Sequence, residues 1–498
     1  MAKKQKLNTH ERNFFNLVFQ AVKANPFSEE RAALDLEIAG LYPDVSYEKR
    51  IEAVIGEVRK KIHNLEKENR ANINLYTGQD RIIYQNSILF DFFHLFLDKF
   101  DRHIEKQIAS GEPPIKVTFS DEGLAYLTDK GFEKDEAVRY FSLSFQLRRA
   151  FYFIDRGLKG KSPSMTTLKK SLWNNVFTNS LDIYHQYLWN RMEDFSTLVL
   201  GETGTGKGAV AAAIGRSGFI PFDVQKKTFR ESFARSFVSI NLSQYAENLI
   251  ESELFGHCKG AFTGAVNDHQ GIFHYGSPCG AIFLDEIGEV TIPVQIKLLK
   301  VLEERVFFPV GSYEAHRFEG RIIAATNRSM EELLEKKILR QDFFYRLCSD
   351  LIIVPPLRQR IKENPGELEE LLSVTIERIL GTPSPDLVKM VRTAIHQNPG
   401  KTYHWPGNVR ELAQCVRRIL LNHSYSGIGT SQPAITGSTL SSKIEKGEVD
   451  ALALTQGYCH LLYRNFGTYG EVARRTNLDR RTVKKYIEEW EKKGMSTL

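Results

Sequence analysis

Phe195-Ser196-Thr197-Leu198-Val199-Leu200-Gly201-Glu202-Thr203-Gly204-Thr205-Gly206-Lys207-Gly208 is the stretch whose reading decides the fold. A short apolar run reads as a buried strand, and it feeds directly into glycines, a lysine and an apolar helix over Ala209 to Ile214. Glycines let the backbone curl so that successive N–H groups converge on an anion, and the helix N-terminus adds its positive dipole end. Lys207 supplies a mobile point charge for outer phosphates. Gly201 to Gly208 are therefore the candidate phosphate-binding residues. Gly208 stands where a Ser or Thr hydroxyl usually touches Mg²⁺. A plain glycine turn between strand and helix has the same local pattern, so the reading needs partners elsewhere in the chain.

The partners lie downstream. Apolar strands are expected at 195–200, 237–241, 281–286, 321–326 and 350–355, with helical stretches between them. That alternation predicts an α/β fold whose parallel sheet is covered on both faces and takes ligands at its strand C-terminal ends. Ala281-Ile-Phe-Leu-Asp285-Glu286 ends a central strand in two carboxylates. Asp285 suits a Mg²⁺ ion held through oxygen, and Glu286 suits polarising a water. Asn327 follows the strand at 321–326, where it could link the γ-phosphate to that water. Arg340 and Arg346 lie six residues apart on an expected helical segment, in position to reach across a subunit boundary and stabilise transferring phosphoryl charge.

Length and composition bound the rest. The 498 residues suffice for about three domains. Net charge is only +6, so a nucleic-acid site has to be local. No apolar run reaches the 18 or so residues needed to cross a bilayer, and MAKKQKLNTHERN has no signal-peptide core. The five cysteines show no CxxC pairing, which predicts reduced thiols in the cytoplasm and argues against zinc.

Residues 1–160 are expected to form a mainly helical regulatory domain. Ile51, Ile55, Val58, Ile62 and Leu65 give a long amphipathic helix over 47–70, a packing face or a dimer seam. A second helix is expected over Ile88 to Phe100, whose phenylalanines suit core packing or a ligand pocket. Ile115 to Phe119 reads as a short strand and Asp135 to Ile154 as a helix. Gly157 to Ser164 reads as a linker. Thr166 to Asn190 reads as a helix beside the first strand.

Residues 195 to about 422 resemble the AAA+ domain of sigma-54-dependent transcription activators, the bacterial enhancer-binding proteins. Gly260-Ala261-Phe262-Thr263-Gly264-Ala265 spells the family's GAFTGA loop without change, and the resemblance assigns it to sigma-factor contact. By chemistry alone, Phe262 and Thr263 between small residues suit an exposed tip on a flexible hinge. The resemblance further implies that Asn241 restrains Glu286, that Arg340 and Arg346 are arginine fingers, and that Arg410 in Trp405-Pro-Gly-Asn408-Val-Arg410-Glu-Leu412 reads the nucleotide from a helical lid. Pro355-Pro-Leu-Arg358-Gln-Arg360 resembles the turn into that lid. Gly208, Thr203, Cys258 and the Gly311 to His316 hairpin depart from the family pattern without removing a catalytic group.

The implied organisation is an AAA+ P-loop ATPase with its α/β part at 165–355 and helical lid at 356–423, a flexible linker at 424–448, and an all-α helix-turn-helix domain at 449–498. In the last, Arg480, Arg481, Thr482, Lys484 and Lys485 sit on the expected recognition helix, with Arg474 and Arg475 before it. The implied function is ATP-dependent activation of sigma-54 RNA polymerase holoenzyme by a homo-oligomeric ring, a hexamer, bound to upstream enhancer DNA, with ATP and Mg²⁺ as cofactors and no membrane association. Rival readings are a DNA-binding AAA+ regulator that does not act through sigma-54, an unfoldase or helicase motor, and a repressor.

Overall fold

The five-stranded sheet explains how the site is built. In the computed structural model, which describes residues 4–111, 113–400, 402–422, 425, 427 and 450–492, its order is β4-β5-β8-β1-β9. The strands are β1 (Thr197–Leu200), β4 (Phe237–Asn241), β5 (Ala281–Asp285), β8 (Arg321–Thr326) and β9 (Asp350–Ile353), and every pairing is parallel. β1, β8 and the first four residues of β5 are buried throughout, which is what a parallel sheet covered on both faces demands. Two short hairpins flank it, β2 (Phe222–Asp223) with β3 (Thr228–Phe229) and β6 (Val306–Phe307) with β7 (His316–Arg317). The fold is a parallel α/β domain preceded by a helical region and followed by another.

Among the described residues the long helices before β1 are α1 (Thr9–Lys23), α2 (Glu29–Ala39), α3 (Tyr47–Lys67), α4 (Gly78–Leu95), α5 (Leu97–Ser110), α6 (Ser120–Asp129), α7 (Lys134–Gly157) and α8 (Pro163–Phe177). Asn8 and Glu11 form a capping box on α1, and Ser46 and Ser162 cap α3 and α8, so local signals set these starts. In α3, Val58, Ile62 and Leu65 of the expected stripe are buried within the chain together with Val54, an intramolecular packing face, while Ile51 and Ile55 are only half-buried. One continuous apolar core runs from these helices (Phe141, Phe145) to one face of the sheet (Val199, Phe283, Ile323). The opposite face packs Leu198, Leu284 and Ala324 against α12 (Ile292–Glu304) and α14 (Gln341–Leu347).

Three expected elements differ. The helix over Ile88 to Phe100 is two helices that turn at Phe96 (φ −100°, ψ 3°), a bend that keeps Phe92, Phe96 and Phe100 all in the core. No breaker residue marks it. Ile115 to Phe119 contributes only one isolated bridge, Lys116 to Thr228, before α6 begins. The helix expected over Thr166 to Asn190 stops at Phe177, because Thr178 takes a left-handed backbone (φ 61°) and Ser180 caps a new short turn, α9 (Leu181–Ile183).

The rest of the first unit is α10 (Lys207–Gly215), α11 (Glu247–Phe255), α13 (Met330–Glu335) and the helices after the sheet: α15 (Leu357–Glu363), α16 (Gly366–Leu380), α17 (Pro385–Ile395) and α18 (Asn408–Asn422). Met1–His423 and Ser424–Leu498 are separate compact units. The expected linker at 424–448 lies outside the described residues except Tyr425 and Gly427. Among the described residues all five cysteines are free thiols and no helix is long and apolar enough to cross a membrane.

The stretch Gly157 to Ser164 is held against the helices that follow the sheet. Arg360 and Glu367 form a buried ion pair at 2.7 Å, Glu367 Oε1 accepts from the Ser162 N–H at 2.7 Å, and Arg360 donates to the Lys159 carbonyl at 2.6 Å. Removing one partner of a buried pair leaves the other charge uncompensated. Arg360→Met is therefore expected to destabilise the first unit by about 3–5 kcal/mol, measured as a drop in the urea unfolding midpoint.

Candidate functional site

The loop between β1 and α10 is shaped by its glycines. Gly204 (φ 81°) and Gly206 (φ 107°) take left-handed conformations, and the Thr205 hydroxyl donates back to the Glu202 carbonyl at 2.8 Å. Lys207 opens α10, whose first N–H groups have no intrahelical acceptor and face the same end of the sheet. Its buried ammonium donates to the Gly201 carbonyl at 2.9 Å. Burial pushes the Lys207 pKa down, while Glu286 and Asp285 oppose that shift. The lysine is thus held over the loop by the Gly201 carbonyl, with two carboxylates on its other side opposing the loss of its charge.

The two carboxylates leave β5 at the same mouth. Asp285 ends the strand, and Glu286 turns out of it with a left-handed backbone (φ 57°), so the expected strand 281–286 is one residue shorter. Glu286 lies 4.0 Å from Lys207. Asn327, just past β8, joins the two motifs: its N–H donates to Glu286 Oε2 at 3.3 Å and its side-chain amide donates to the Thr203 hydroxyl at 3.2 Å. Loop, acid and asparagine therefore meet across three adjacent strands, β5, β8 and β1.

The lid helices close on the loop through a joint that spacing does not mark. Asn408, buried and at φ 52°, donates to Glu202 Oε2 and to the Thr203 carbonyl, each at 3.1 Å, and accepts from the Leu357 N–H at 2.8 Å. Arg358 grips Glu202 with both guanidinium ends, and that pairing lowers the Glu202 pKa. A Cβ on Gly204 would sit 2.2 Å from the Gly407 carbonyl oxygen. Arg410 is exposed nearby, and its charge is felt at Lys207.

Other candidates sit apart. Asn241 pairs with Asp285 in the β4–β5 register, but its carboxamide oxygen accepts from the Ser243 N–H at 3.0 Å and hydroxyl at 2.7 Å. Glu286 accepts instead from the backbone N–H of Asn327. Arg340 precedes α14 and holds Asp342 at 2.7 Å, bringing that carboxyl down to about 2. Arg346, near the end of α14, donates to the Leu302 carbonyl at 3.1 and 3.2 Å. Neither arginine bonds to the loop or carboxylates of its own chain in these contacts.

Gly260 to Ala265 caps a narrow stem. His257 bridges both His269 and Val310, and the Cys258 N–H donates to the Val310 carbonyl at 3.0 Å. The tip closes with the Gly260 N–H on the Ala265 carbonyl at 2.8 Å, and both glycines are left-handed with open space around them. Phe262 is 38 % exposed and Thr263 is exposed beside it. The adjoining β6–β7 hairpin ends in Tyr313, which is 100 % exposed. Only its departure from the family pattern marked that hairpin in the sequence.

In the second unit, helices Ala451–Phe466, Tyr469–Thr476 and Arg480–Lys492 surround a small core of Cys459, Leu462, Val472, Val483 and Ile487. Asn477 (φ 56°) makes the turn, and Asp479 caps the last helix through the Arg481 and Thr482 N–H groups. Arg480, Arg481, Lys484 and Lys485 are exposed on that helix and Thr482 is half-buried; Lys484 and Lys485 lie 3.8 Å from Glu488 and Glu489, and Arg474 and Arg475 are tied to Glu471.

The donor set suits Mg²⁺ better than an all-protein metal cage. Among the described residues no group of three or more His, Cys, Asp or Glu could hold a metal ion. Asp285, at the end of its strand, is the carboxylate that could hold a Mg²⁺ ion beside the loop.

Residues 178–352 match the family described as the sigma-54 interaction domain. The chain is 41% identical over 249 residues to the Nif-specific regulatory protein of Azotobacter vinelandii, covering 50% of this chain and 43% of that protein. It is 39% identical over 236 residues to the DNA-binding transcriptional regulator NtrC of Azospirillum brasilense, covering 47% and 45%. The chain spans about half the length of these curated relatives. A solved structure of NtrX from Brucella abortus in complex with ATP aligns over 74% of this chain and 79% of that one, at 19% identity and a TM-score of 0.41.

The Gly204 contact makes a direct test. Gly204→Ala is expected to cost about 1–3 kcal/mol through backbone strain and to push the loop from Gly407, lowering the melting temperature and speeding amide exchange over 202–206.

Proposed function

We propose, for a chain that carries the sigma-54 interaction domain over residues 178–352, that it is a cytoplasmic, ATP-driven activator of transcription by sigma-54 RNA polymerase. What supports this reading is the meeting of Lys207, Glu286 and Asn327 at one end of the sheet, with a glycine-hinged tip at 260–265 exposed on the same domain. The loop amides and Lys207 grip the triphosphate, Asp285 holds Mg²⁺, and Glu286 orients the attacking water. Asn327 ties the phosphate loop to Glu286, so a change at the γ-phosphate moves the acid. Arg410 reaches the nucleotide from the lid, and Asn241 takes over Glu286 in another nucleotide state.

Arg340 and Arg346 complete the site of a neighbouring subunit in a ring, a hexamer. Their engagement with Asp342 and Leu302 rather than with their own loop favours action in trans. The 260–265 tip presses on the sigma factor and so opens promoter DNA. Arg480, Arg481, Thr482, Lys484 and Lys485 hold upstream enhancer DNA, which raises local concentration and favours ring assembly.

Glu286→Gln is expected to retain ATP binding and to lose turnover by roughly 10²–10⁴-fold, read as steady-state phosphate release. Mixing those chains with Arg346→Ala chains, themselves inactive, is expected to recover part of the activity, because mixed seams contain one intact acid and one intact finger. No recovery would exclude the trans arrangement. Thr263→Ala is expected to keep near wild-type hydrolysis and to lose open-complex formation with sigma-54 holoenzyme. Wild-type ATP turnover with no open complex on enhancer-bearing templates would remove the sigma-54 assignment.

A further inference from the structure

A cavity of about 440 Å³ lies among the N-terminal helices, away from the phosphate loop. Its walls come from α1 to α5, α7, α8 and the turn over 181–185. Volume and lining match small-molecule sites, which are mostly apolar with a few placed polar groups. Leu89, Leu143, Leu147 and Phe151 belong to the surrounding core yet keep accessible surface, because they face this space. Tyr140 and His185 stack at 5.1 Å with planes 10° apart and give part of the wall a flat aromatic lining.

The polar groups define what fits. All four charged wall residues are already engaged. Arg31 bonds Asp35 at 2.8 Å and the Ala21 carbonyl at 2.9 Å, Arg148 holds Asp101 with two contacts of 2.5 and 2.6 Å, and Lys23 pairs with Asp182. A charged ligand would have to compete with Asp35 and Asp101 for Arg31 and Arg148, whose side chains are only 14 % and 11 % exposed, so that wall favours a neutral one. His94 is different. Its Nδ1 faces the Phe90 carbonyl at 2.9 Å, and a carbonyl only accepts, so Nδ1 carries the proton. Burial brings the imidazole down to about 3, which keeps the ring neutral and leaves Nε2 with a lone pair. No hydrogen bond among the described residues uses that lone pair.

We propose that this cavity binds a neutral aromatic small molecule carrying one N–H or O–H donor, which His94 Nε2 accepts. The occupant also touches Trp173 of α8, the helix that packs on α10, α15 and β9, so it lies against the support of the phosphate loop. The site is independent of whether the chain hydrolyses ATP or acts on sigma-54.

The test uses the full chain and a fluorescent probe, N-phenyl-1-naphthylamine, which is neutral, aromatic and has a single N–H. Titration is expected to give saturable binding of one probe per chain. The carbon analogue 1-benzylnaphthalene, measured by competition, is expected to bind roughly tenfold more weakly to the unaltered chain. His94→Phe should remove that difference. Leu143→Trp and Leu89→Trp, which fill the space from two walls, should each weaken the probe at least about tenfold. Absence of saturable binding, equal affinity for the two probes on the unaltered chain, or unchanged affinity in both filled variants would each overturn the proposal.

Discussion

The structure depends on how closely the phosphate loop and the lid approach at one point. Gly204 lies so near the Gly407 carbonyl that no side chain fits, and Asn408 uses its whole carboxamide to hold Glu202, the Thr203 carbonyl and the Leu357 N–H. Two separate pieces of chain, over two hundred residues apart, therefore share one set of hydrogen bonds. Each bond on its own contributes about 1 kcal/mol. Together they are cooperative, because Glu202 is also the anchor of Arg358. The loop cannot change shape without the lid sensing it.

A second constraint works from the other side of the sheet. The N-terminal helices do not sit on the sheet as a detachable cap; their phenylalanines are the core that covers it. Arg149 in α7 is buried, donates to the Gly218 carbonyl and has its pKa lowered to about 9 by desolvation. Arg321 at the start of β8 is buried too, and it bonds the Phe195 carbonyl at 2.6 Å, the Asn175 carbonyl and the Thr197 hydroxyl. Two large cations placed in the junction between helices and sheet make that junction specific, since each requires its own acceptors. The buried pair Arg360–Glu367 does the same where α8 meets the helices after the sheet.

These joints give the proposed motor a physical route between its parts. On that proposal Asn327 links the loop to Glu286 on one side, and Asn408 links it to the helices after the sheet on the other. Among the described residues the 260–265 tip has no such bonds beyond its own stem, and open space surrounds its two glycines. A stiff catalytic mouth with a soft exposed tip is the mechanical arrangement that a remodelling stroke requires.

Much of this was legible in the residues. Alternating apolar strands and helices specified a parallel sheet, because only a strand buried on both faces can be apolar at every position. Glycines before Lys207 and paired acids after Phe283 and Leu284 specified that the loop and the carboxylates meet at one end of the sheet. Local caps at Asn8, Ser46 and Ser162 specified helix starts. Tertiary structure alone decided the bend at Phe96, the stop at Thr178, the turning of Asn241 to Ser243, the joint at Asn408 and the cavity beside His94. Each of these depends on what a side chain meets across long stretches of chain. Periodicity and spacing record how a residue relates to its sequence neighbours, and packing is set by partners that the chain brings together only once it has folded.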